Sequence, residues 1–403
     1  MAMIASRGEG LSRLDYFLNI SGSNYSQFRN YDYGPNNHKS VSLLSPYLKH
    51  RLITEREVVS SVLAKHSLRD SEKYIQEVFW RSYFKGWMEH RPYVWEKYKS
   101  ELNNQLGLIS KNKFLNKAYD QALAGQTGIE CFDFWVNELK ETGYLHNHAR
   151  MWLASIWIFT LKLPWVLGAD FFLCNLIDGD AASNTLSWRW VAGLHTKGKS
   201  YLARADNIER FTCGRFYPKG QLEVSADPLS EPECDIIDNT LPASDLRQAD
   251  KYLLLVHEED CQTEQFFPEN LNITGAVGLQ STALRSVNTI NKNISEFAKA
   301  ALESSLMKFG PNNKIIEKDW GSELLSACNK QGVRNILMHY APTGPTADAI
   351  KKAVPLLKEN QIEISCILRE WDKEVWPFAN KGFFKVKKKI PKILESLKLL
   401  KRH

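Results

Sequence analysis

The sequence has little of what marks a secreted, a zinc-binding or a membrane-spanning protein. Its seven cysteines are scattered over 403 residues, no two form a Cys-x-x-Cys pair, and their number is odd. Disulfide frameworks and zinc sites need paired cysteines, so these predict free thiols in a reducing compartment. No apolar run reaches the roughly 18 residues of a membrane span, and the N-terminus lacks a signal peptide's apolar core. We therefore expect a cytoplasmic protein without membrane contacts.

A strong charge of one sign and a glycine-rich fingerprint are also missing. The formal net charge is only +6, which permits contact with a polyanion without requiring it. No Gly-x-Gly-x-x-Gly follows the first predicted strand, which argues against a nicotinamide-binding site. Tryptophan, by contrast, is abundant, and nine of the 12 lie between Trp80 and Trp190. This density predicts an aromatic-rich helical core or a site that uses indoles.

The pattern of apolar residues divides the chain into two halves. Helical spacing dominates from about Leu11 to Phe216, with Thr54 and Glu57 as a capping box. After an acidic, proline-rich stretch, strands and helices alternate, and the apolar strands predict a parallel, doubly wound sheet. The expected domains are a helical domain, a linker and an α/β domain, at residues 1–217, 218–250 and 251–403.

One short segment concentrates unusual residues. Ile177–Gly193, which reads IDGDAASNTLSWRWVAG, holds two aspartates, an asparagine and two tryptophans. Aspartates among aromatic residues need partners when they are buried. Asp-Gly-Asp alone would fit the start of a calcium loop, but the other ligands of that loop are missing. Three more segments give it a context: VSLLSPYLKHRLIT, EVFWRSYF and GQTGIECFDFWVNELKETGYLHNHARMWLAS.

In this order, the four segments resemble the flavin-binding domain of the DNA photolyase and cryptochrome family. The shared motifs are Gly-x-Thr-Gly, a helix start with Thr-Gly-aromatic-x-His-Asn-x-x-Arg-Met, and Asp-Gly-Asp followed by Asn and Trp-x-Trp. The resemblance covers roughly Leu11–Tyr217. It implies the fold class α + α/β, in which an all-helical FAD-binding domain precedes a Rossmann-like doubly wound sheet.

The resemblance also implies a set of residues that hold FAD. Arg150 and Asp178 match an ion pair over the reactive edge of the flavin, and Asn184 matches the residue opposite flavin N5. The family's phosphate-binding Thr-Ser-Arg-Leu-Ser reads Val-Ser-Leu-Leu-Ser here, so two polar contacts are replaced by apolar residues. The implied cofactor-binding residues are Ser42, Leu44, Ser45, Tyr74, Arg81, Asn147, Arg150, Asp178, Asp180, Asn184 and Ser187.

A substrate pocket follows from the same resemblance. Trp80 and Trp190 match its aromatic walls, and Glu77 matches the acid that contacts the carbonyl edge of a pyrimidine dimer. Enzymes for (6-4) photoproducts carry histidines where this chain has Asn147 and Met151. The pair therefore indicates cyclobutane dimers, which an extruding enzyme stacks against aromatic side chains.

The tryptophans also suggest a route for electrons. Trp188 matches the electron donor beside the flavin, and Trp165 matches the next relay. The family's outer tryptophan aligns at Ala122, so that donor is missing. Three side chains remain open as its substitute: Trp157, Trp152 and Tyr119.

The implied function is light-driven, FAD-dependent repair of cyclobutane pyrimidine dimers by electron transfer from reduced flavin. A cryptochrome-like blue-light receptor without repair activity is the alternative, because the phosphate-binding stretch and the outer tryptophan depart from the family. The α/β domain follows the flavin domain instead of preceding it, which indicates a permuted order and leaves a second, antenna chromophore unidentified. We expect a monomer whose partner is DNA carrying UV lesions.

Overall fold

The computed structural model describes residues 3–400, apart from residues 197, 233–239, 264–270 and 311–312. A helical half precedes a half built on a parallel sheet, which confirms the predicted fold class. The described residues of the expected linker form neither helix nor strand; residues 233–239, with Cys234, lie outside the description. In the described part, no helix is long and apolar enough to cross a membrane.

The helical half begins and ends its helices where the sequence supplies caps. Thr54 and Glu57 form the predicted capping box, and Gly143 ends its helix in a left-handed conformation at φ 69°. A π-helical turn, Ile156–Thr160, extends the helix that starts at Asn147. The helices are α1 (Arg7–Leu18), α2 (Ser23–Phe28), α3 (Ser45–Lys49), α4 (Glu55–Lys65), α5 (Leu68–Glu89), α6 (Tyr93–Ile109), α7 (Lys113–Ala124), α8 (Glu130–Thr142), α9 (Asn147–Ser155), α10 (Trp165–Asn175), α11 (Ala181–Ala192) and α12 (Ala205–Phe211).

The second half contains a parallel sheet in the order β3-β2-β1-β4-β5. Its strands are β1 (Tyr252–His257), β2 (Ile273–Leu279), β3 (Ile315–Ile316), β4 (Asn335–His339) and β5 (Glu363–Ile367). Its helices are α13 (Lys292–Leu306), α14 (Trp320–Gln331), α15 (Pro345–Glu359), α16 (Glu370–Val375), α17 (Phe384–Lys387) and α18 (Ile390–Ser396). This strand order reverses direction between β1 and β4, and ligands of such sheets usually bind in the crevice beyond that point.

The helical half itself fills the carboxyl end of β1. His50 Nδ1 lies 2.6 Å from the carbonyl oxygen of Glu258, and the backbone N–H of Cys261 donates to the carbonyl oxygen of His50 at 2.8 Å. Lys49 Nζ lies 3.1 Å from the carboxylate of Glu259, and both side chains are buried. The crevice beside β1 is therefore occupied by the protein's own chain.

A buried ionic network extends this contact between the halves. Arg51 Nη2 donates to both carboxylate oxygens of Asp372, at 2.8 and 2.7 Å, and its Nη1 donates to Asp260 at 3.3 Å. Burial alone would raise the pKa of Asp260, but the charges and hydrogen bonds of its neighbours, Arg369 first among them and Arg51 with it, together outweigh burial and hold that pKa far below its usual value. The network balances its buried charges, as burial requires.

Helix α5 packs against both halves and brings residues of each to its surface. Phe79 contacts Trp371 with ring centroids 4.8 Å apart. Gly86 is needed where Trp376 crosses the helix, because an added Cβ would lie 2.7 Å from Trp376 Cδ1. Helix α5 also carries four predicted site residues, Tyr74, Glu77, Trp80 and Arg81, so contacts with the sheet half help to set their positions.

Candidate functional site

The segment Ile177–Gly193 forms a loop followed by α11. Asp180 starts the helix, since its Oδ1 accepts a hydrogen bond from the backbone N–H of Ser183 at 2.8 Å. Asn184 lies one turn into the helix, and its Nδ2 donates to the carbonyl oxygen of Ala169 at 2.8 Å. Trp188 follows one turn later and is 1% exposed. The loop and helix therefore place the side chains of Asp180, Asn184 and Trp188 on one buried face of α11.

Arg150 and Asp178 form the ion pair that the sequence indicates. Arg150 Nη2 lies 2.9 Å from Asp178 Oδ2, and Arg150 Nε donates to the carbonyl oxygen of Leu145 at 2.8 Å. Burial would raise the pKa of Asp178, but the guanidinium of Arg150 and the hydroxyl of Ser45 lower it below the usual value. The carboxylate is thus held charged in a buried position.

Two further contacts gather the remaining polar residues of the predicted cofactor set. Arg81 Nη1 lies 2.9 Å from Asp180 Oδ2. Tyr74 is buried with its ring centroid 4.5 Å from that of Phe17, and its hydroxyl lies beside Ser42. The side chains brought together thus come from the start of α3, from α5, from α9 and from the loop before α11.

The other members of the cofactor set lie apart from these contacts. Leu44 is fully buried immediately before α3, and Ser42 accepts a hydrogen bond from its backbone N–H at 3.3 Å. Ser187 and Asn147 are exposed, on α11 and at the start of α9. Leu44 therefore packs in the core, whereas the side chains of Ser187 and Asn147 are accessible.

Unfilled hydrogen-bond capacity marks this region as a place for a polar ligand. Arg81 Nη2, Asp178 Oδ1 and Trp188 Nε1 are buried and have no hydrogen-bond partner among the described residues. Buried polar groups normally find partners, so such a group calls for a ligand or water. FAD offers ring-edge donors and acceptors, ribityl hydroxyls and a pyrophosphate, so the residues fit the cofactor that the sequence predicts.

The predicted substrate residues lie on three helices that pack together, α5, α9 and α11. Glu77 and Trp80 stand on α5, Asn147 and Met151 on α9, and Trp190 on α11. Unlike Trp188, all of them keep exposed surface. The arrangement therefore separates accessible residues from a buried indole only two positions from Trp190.

Other side chains of the protein already contact three of these residues. Glu77 forms an ion pair with Arg29. The ring of Trp190 stacks on Tyr201, with centroids 5.7 Å apart and planes 27° apart. Trp80 stacks on Phe383, with centroids 3.7 Å apart and planes 15° apart. A substrate that used these groups would have to exchange with these partners.

The ring contacts differ from the relay of Trp188 and Trp165 that the family resemblance implies. Trp188 contacts Trp157 at 6.2 Å between ring centroids, and Trp157 contacts Tyr119 at 6.1 Å. Trp165 instead lies 6.0 Å from Tyr98 and has no ring contact with Trp188 among the described residues. The contacts favour Trp157 as the neighbour of Trp188.

Comparison with known proteins gives the helical half a family. Residues 74–220 match the family described as the FAD binding domain of DNA photolyase. The helical half therefore carries a domain similar to the FAD-binding domain of photolyases and cryptochromes. The deoxyribodipyrimidine photo-lyase of Streptomyces griseus is 30% identical over 208 residues, which cover 48% of this chain and 42% of that protein. Cryptochrome DASH of Idiomarina loihiensis is 27% identical over 229 residues, 55% of this chain and 49% of that protein.

Solved structures similar to this chain also carry the names photolyase and cryptochrome. A class III photolyase from Agrobacterium tumefaciens is 27% identical with a TM-score of 0.43, covering 51% of this chain and 42% of that one. A Synechocystis cryptochrome is 27% identical with a TM-score of 0.41, covering 52% of this chain and 44% of that one. The present chain spans about two fifths of the length of the curated photo-lyases that it matches first.

The photolyase-family motifs did not point to Arg29, Phe383 or a buried acid, Glu138. Arg29 and Phe383 are far in sequence from the α5 residues that they contact, so no local pattern connects them. Glu138 lies in α8, four residues before the Thr-Gly motif, with His38 Nε2 3.9 Å from its carboxylate. An acid at an apolar position of α8 was the one available signal for it.

Proposed function

We propose that this protein binds FAD and uses light to repair cyclobutane pyrimidine dimers in DNA, by electron transfer from the reduced flavin. One observation carries the proposal: the five residues that match a photolyase substrate pocket keep exposed surface on three neighbouring helices. Relatives named deoxyribodipyrimidine photo-lyase support it over less than half of this chain.

The proposed cofactor residues act by holding charge and orientation. Arg150 and Asp178 form an ion pair that fixes one positive and one negative group in a buried position. Asn184 is oriented through its Nδ2 hydrogen bond to Ala169, which leaves its Oδ1 as an acceptor toward the cofactor. Bound and reduced, the flavin supplies the photoexcited electron.

The proposed substrate residues act by replacing the stacking that an extruded dimer loses. Trp80 and Trp190 offer indole faces, and Met151 offers a polarisable thioether. Glu77 lies on α5 one turn before Trp80, so its carboxyl group reaches the edge of a ring that stacks on this indole. Dimer splitting by electron transfer requires no general acid, so a pocket without a pair of catalytic histidines is consistent with this reaction.

A cryptochrome-like receptor without repair activity is the second candidate, and the contacts of the α5 residues favour it. Phe383 covers one face of Trp80, and Arg29 neutralises Glu77. If both contacts persist in the presence of DNA, the pocket residues are not available to a dimer. The flavin would then serve as a light sensor whose signal passes to the packed sheet half.

Repair activity separates the two candidates. Flavin-loaded, chemically reduced protein is mixed with UV-irradiated oligothymidylate and illuminated with blue light, and the recovery of thymine absorbance is followed. We expect recovery that requires both light and reduction. Protein with bound, reduced flavin that restores no thymine absorbance would contradict repair and favour the receptor.

For the whole chain, we propose an arrangement in which residues 1–217 bind flavin and residues 251–403 form a permuted counterpart of the photolyase α/β domain. The parallel sheet and the closing segment from Trp376 onward support this proposal. Limited proteolysis within residues 218–250 tests the division into two domains, since cleavage should yield two fragments that stay associated through their buried ionic contacts.

A further inference from the structure

The sheet half supplies an aromatic ring to the predicted substrate pocket. Phe383 lies immediately before α17 and is 8% exposed. Its ring stacks on Trp80 at 3.7 Å between centroids and also contacts Tyr83 edge-on at 5.5 Å. Phe383 therefore occupies the indole face that a substrate ring would use.

No third ring fits into this stack. Planes that are 15° apart with centroids 3.7 Å apart are already at contact distance, so a pyrimidine reaches that face of Trp80 only by displacing Phe383. Both the displaced and the incoming partner are flat rings. The exchange replaces one stacking contact by another. Its free energy therefore depends on the other contacts that the incoming ring makes in the pocket.

The segment that carries Phe383 is anchored by contacts at Asn380 and Val386, and there is free space at Gly382 between them. Arg91 Nη2 donates to the carbonyl oxygen of Asn380 at 3.2 Å, and Val386 is fully buried on the other side. Gly382, directly before Phe383, is exposed, and an added Cβ there would meet no atom within 4 Å. A short rearrangement between these two anchors is enough to move the ring.

Positive charge surrounds the same segment. Lysines lie at positions 381, 385, 387, 388 and 389, and Lys381 and Lys388 are exposed. Lys388 Nζ lies 4.9 Å from the ring centroid of Phe384, a neighbour of Phe383 that points into solvent with 64% exposure. The phosphates of a nucleic acid strand are the ligand that this charge favours.

We propose that Phe383 competes with the substrate at the aromatic site: it covers Trp80 in the free protein and is exchanged for an extruded pyrimidine when DNA binds. The proposal rests on the repair function proposed above. Damaged DNA extrudes its bases at a lower cost than undamaged DNA does, so mainly damaged DNA reaches Trp80. Because every extruded pyrimidine must displace Phe383, this residue lowers the affinity of the site for damaged strands.

The test compares Phe383→Ala with Phe384→Ala in the full-length, flavin-loaded protein. Binding of a fluorescein-labelled duplex with adjacent thymines, UV-irradiated or untreated, is measured in the dark by fluorescence anisotropy. We expect Phe383→Ala to bind the irradiated duplex about tenfold more tightly and the undamaged duplex less than threefold more tightly, because only the irradiated duplex has to displace the ring. Phe384→Ala should match the parent protein, because its ring does not contact Trp80.

The outcomes distinguish this proposal from the repair function. If the parent prefers irradiated DNA and Phe383→Ala does not bind it more tightly, the role of Phe383 is overturned while repair stands. If neither protein prefers irradiated DNA, both proposals fall. Phe383→Leu keeps apolar volume without a flat face, so it repeats the test if the alanine variant does not fold.

Discussion

At the scale of single residues, a buried acid lies beside the predicted site. The side chain of Glu138 is 1% exposed, and neither of its carboxylate oxygens has a hydrogen-bond partner among the described residues. Burial, aided by the charge of Asp32, raises its pKa to about 8, against a smaller opposing effect of Arg215. Burial also lowers the pKa of His38, 3.9 Å away, so Glu138 and His38 face each other uncharged at neutral pH.

Replacing Glu138 by Gln should change how stability depends on pH. Between the ordinary value of 4.5 and the raised pKa of about 8, the native state keeps a proton that the unfolded state has lost. The free energy of unfolding of the parent therefore falls as pH rises through this range. We expect Glu138→Gln to remove that fall and to be more stable than the parent at pH 8.5 by about 2 kcal/mol. Urea unfolding at pH 5.5 and 8.5 measures both; parallel curves for the two proteins would contradict the raised pKa.

Glu77 offers a second test at this scale. Glu77→Ala should slow repair of irradiated DNA by about tenfold or more and leave flavin content unchanged, because the side chain faces the proposed dimer and not the cofactor. Glu72 is a matched control on α5, with a side chain that is 51% exposed. Repair rate and flavin absorbance are measured for both variants. Loss of flavin from Glu77→Ala would show that its assigned role is wrong.

At the scale of helices, one glycine sets the distance between two indoles. Gly168 lies in α10, where an added Cβ would lie 2.3 Å from Trp188 Cη2 and 3.0 Å from Trp157 Cδ2. A side chain at this position would have to push these rings aside. The packing of α10 against α11 thus depends on a residue without a side chain.

Gly168→Ala should destabilise the protein by about 1–3 kcal/mol through overpacking. Gly107→Ala is the control, because Gly107 lies at an exposed position of α6 and a Cβ there would meet no atom within 4 Å. The control should be more stable than the parent by about 0.5–1 kcal/mol, since alanine favours the helix. Thermal unfolding measures both changes, and destabilisation of equal size in the two variants would refute the packing argument.

The same region carries the tryptophans of the proposed route for electrons to the flavin. We expect Trp188→Phe and Trp157→Phe to abolish photoreduction of bound flavin while sparing repair by chemically reduced protein. Trp165→Phe should photoreduce like the parent, because its ring contacts Tyr98 and not Trp188. Flavin absorbance during illumination gives the rates. Loss of photoreduction in Trp165→Phe alone would restore the route that the sequence suggested.

Much of this architecture can be predicted from sequence because it rests on local patterns. The capping box of α4, the strands and the alternation of β and α elements all follow from periodicity and turn residues. The direction in which a side chain points from its helix does not. Trp165 and Trp157 both lie near the predicted position of a relay, yet only Trp157 is rotated toward Trp188. The contact between Trp80 and Phe383 joins residues from opposite halves, which no local pattern reveals.

At the scale of the whole molecule, buried charges hold the two halves together. Arg51 lies in the helical half and contacts Asp260 and Asp372 in the sheet half. Each of these three side chains is at most 3% exposed. Removing one member would leave the others charged and buried, which costs far more than loss of a surface pair.

Arg51→Leu should lower the free energy of unfolding by about 3–5 kcal/mol. The control is Arg56→Ala, which removes a pair between the same halves, at 2.6 Å from Glu370, where solvent reaches both side chains. Its cost should stay below about 1 kcal/mol. Urea unfolding followed by circular dichroism measures both, and similar costs would show that burial of the Arg51 network adds little.

The filled crevice beyond β1 also bears on the proposed use of light. Lys49 and His50 occupy the edge of the sheet where ligands of such folds usually bind. Under the proposed function, we therefore expect the flavin to capture photons without a second pigment in this crevice. The action spectrum of the protein should then follow the absorption band of its flavin, and an additional near-UV maximum would show that a pigment binds elsewhere.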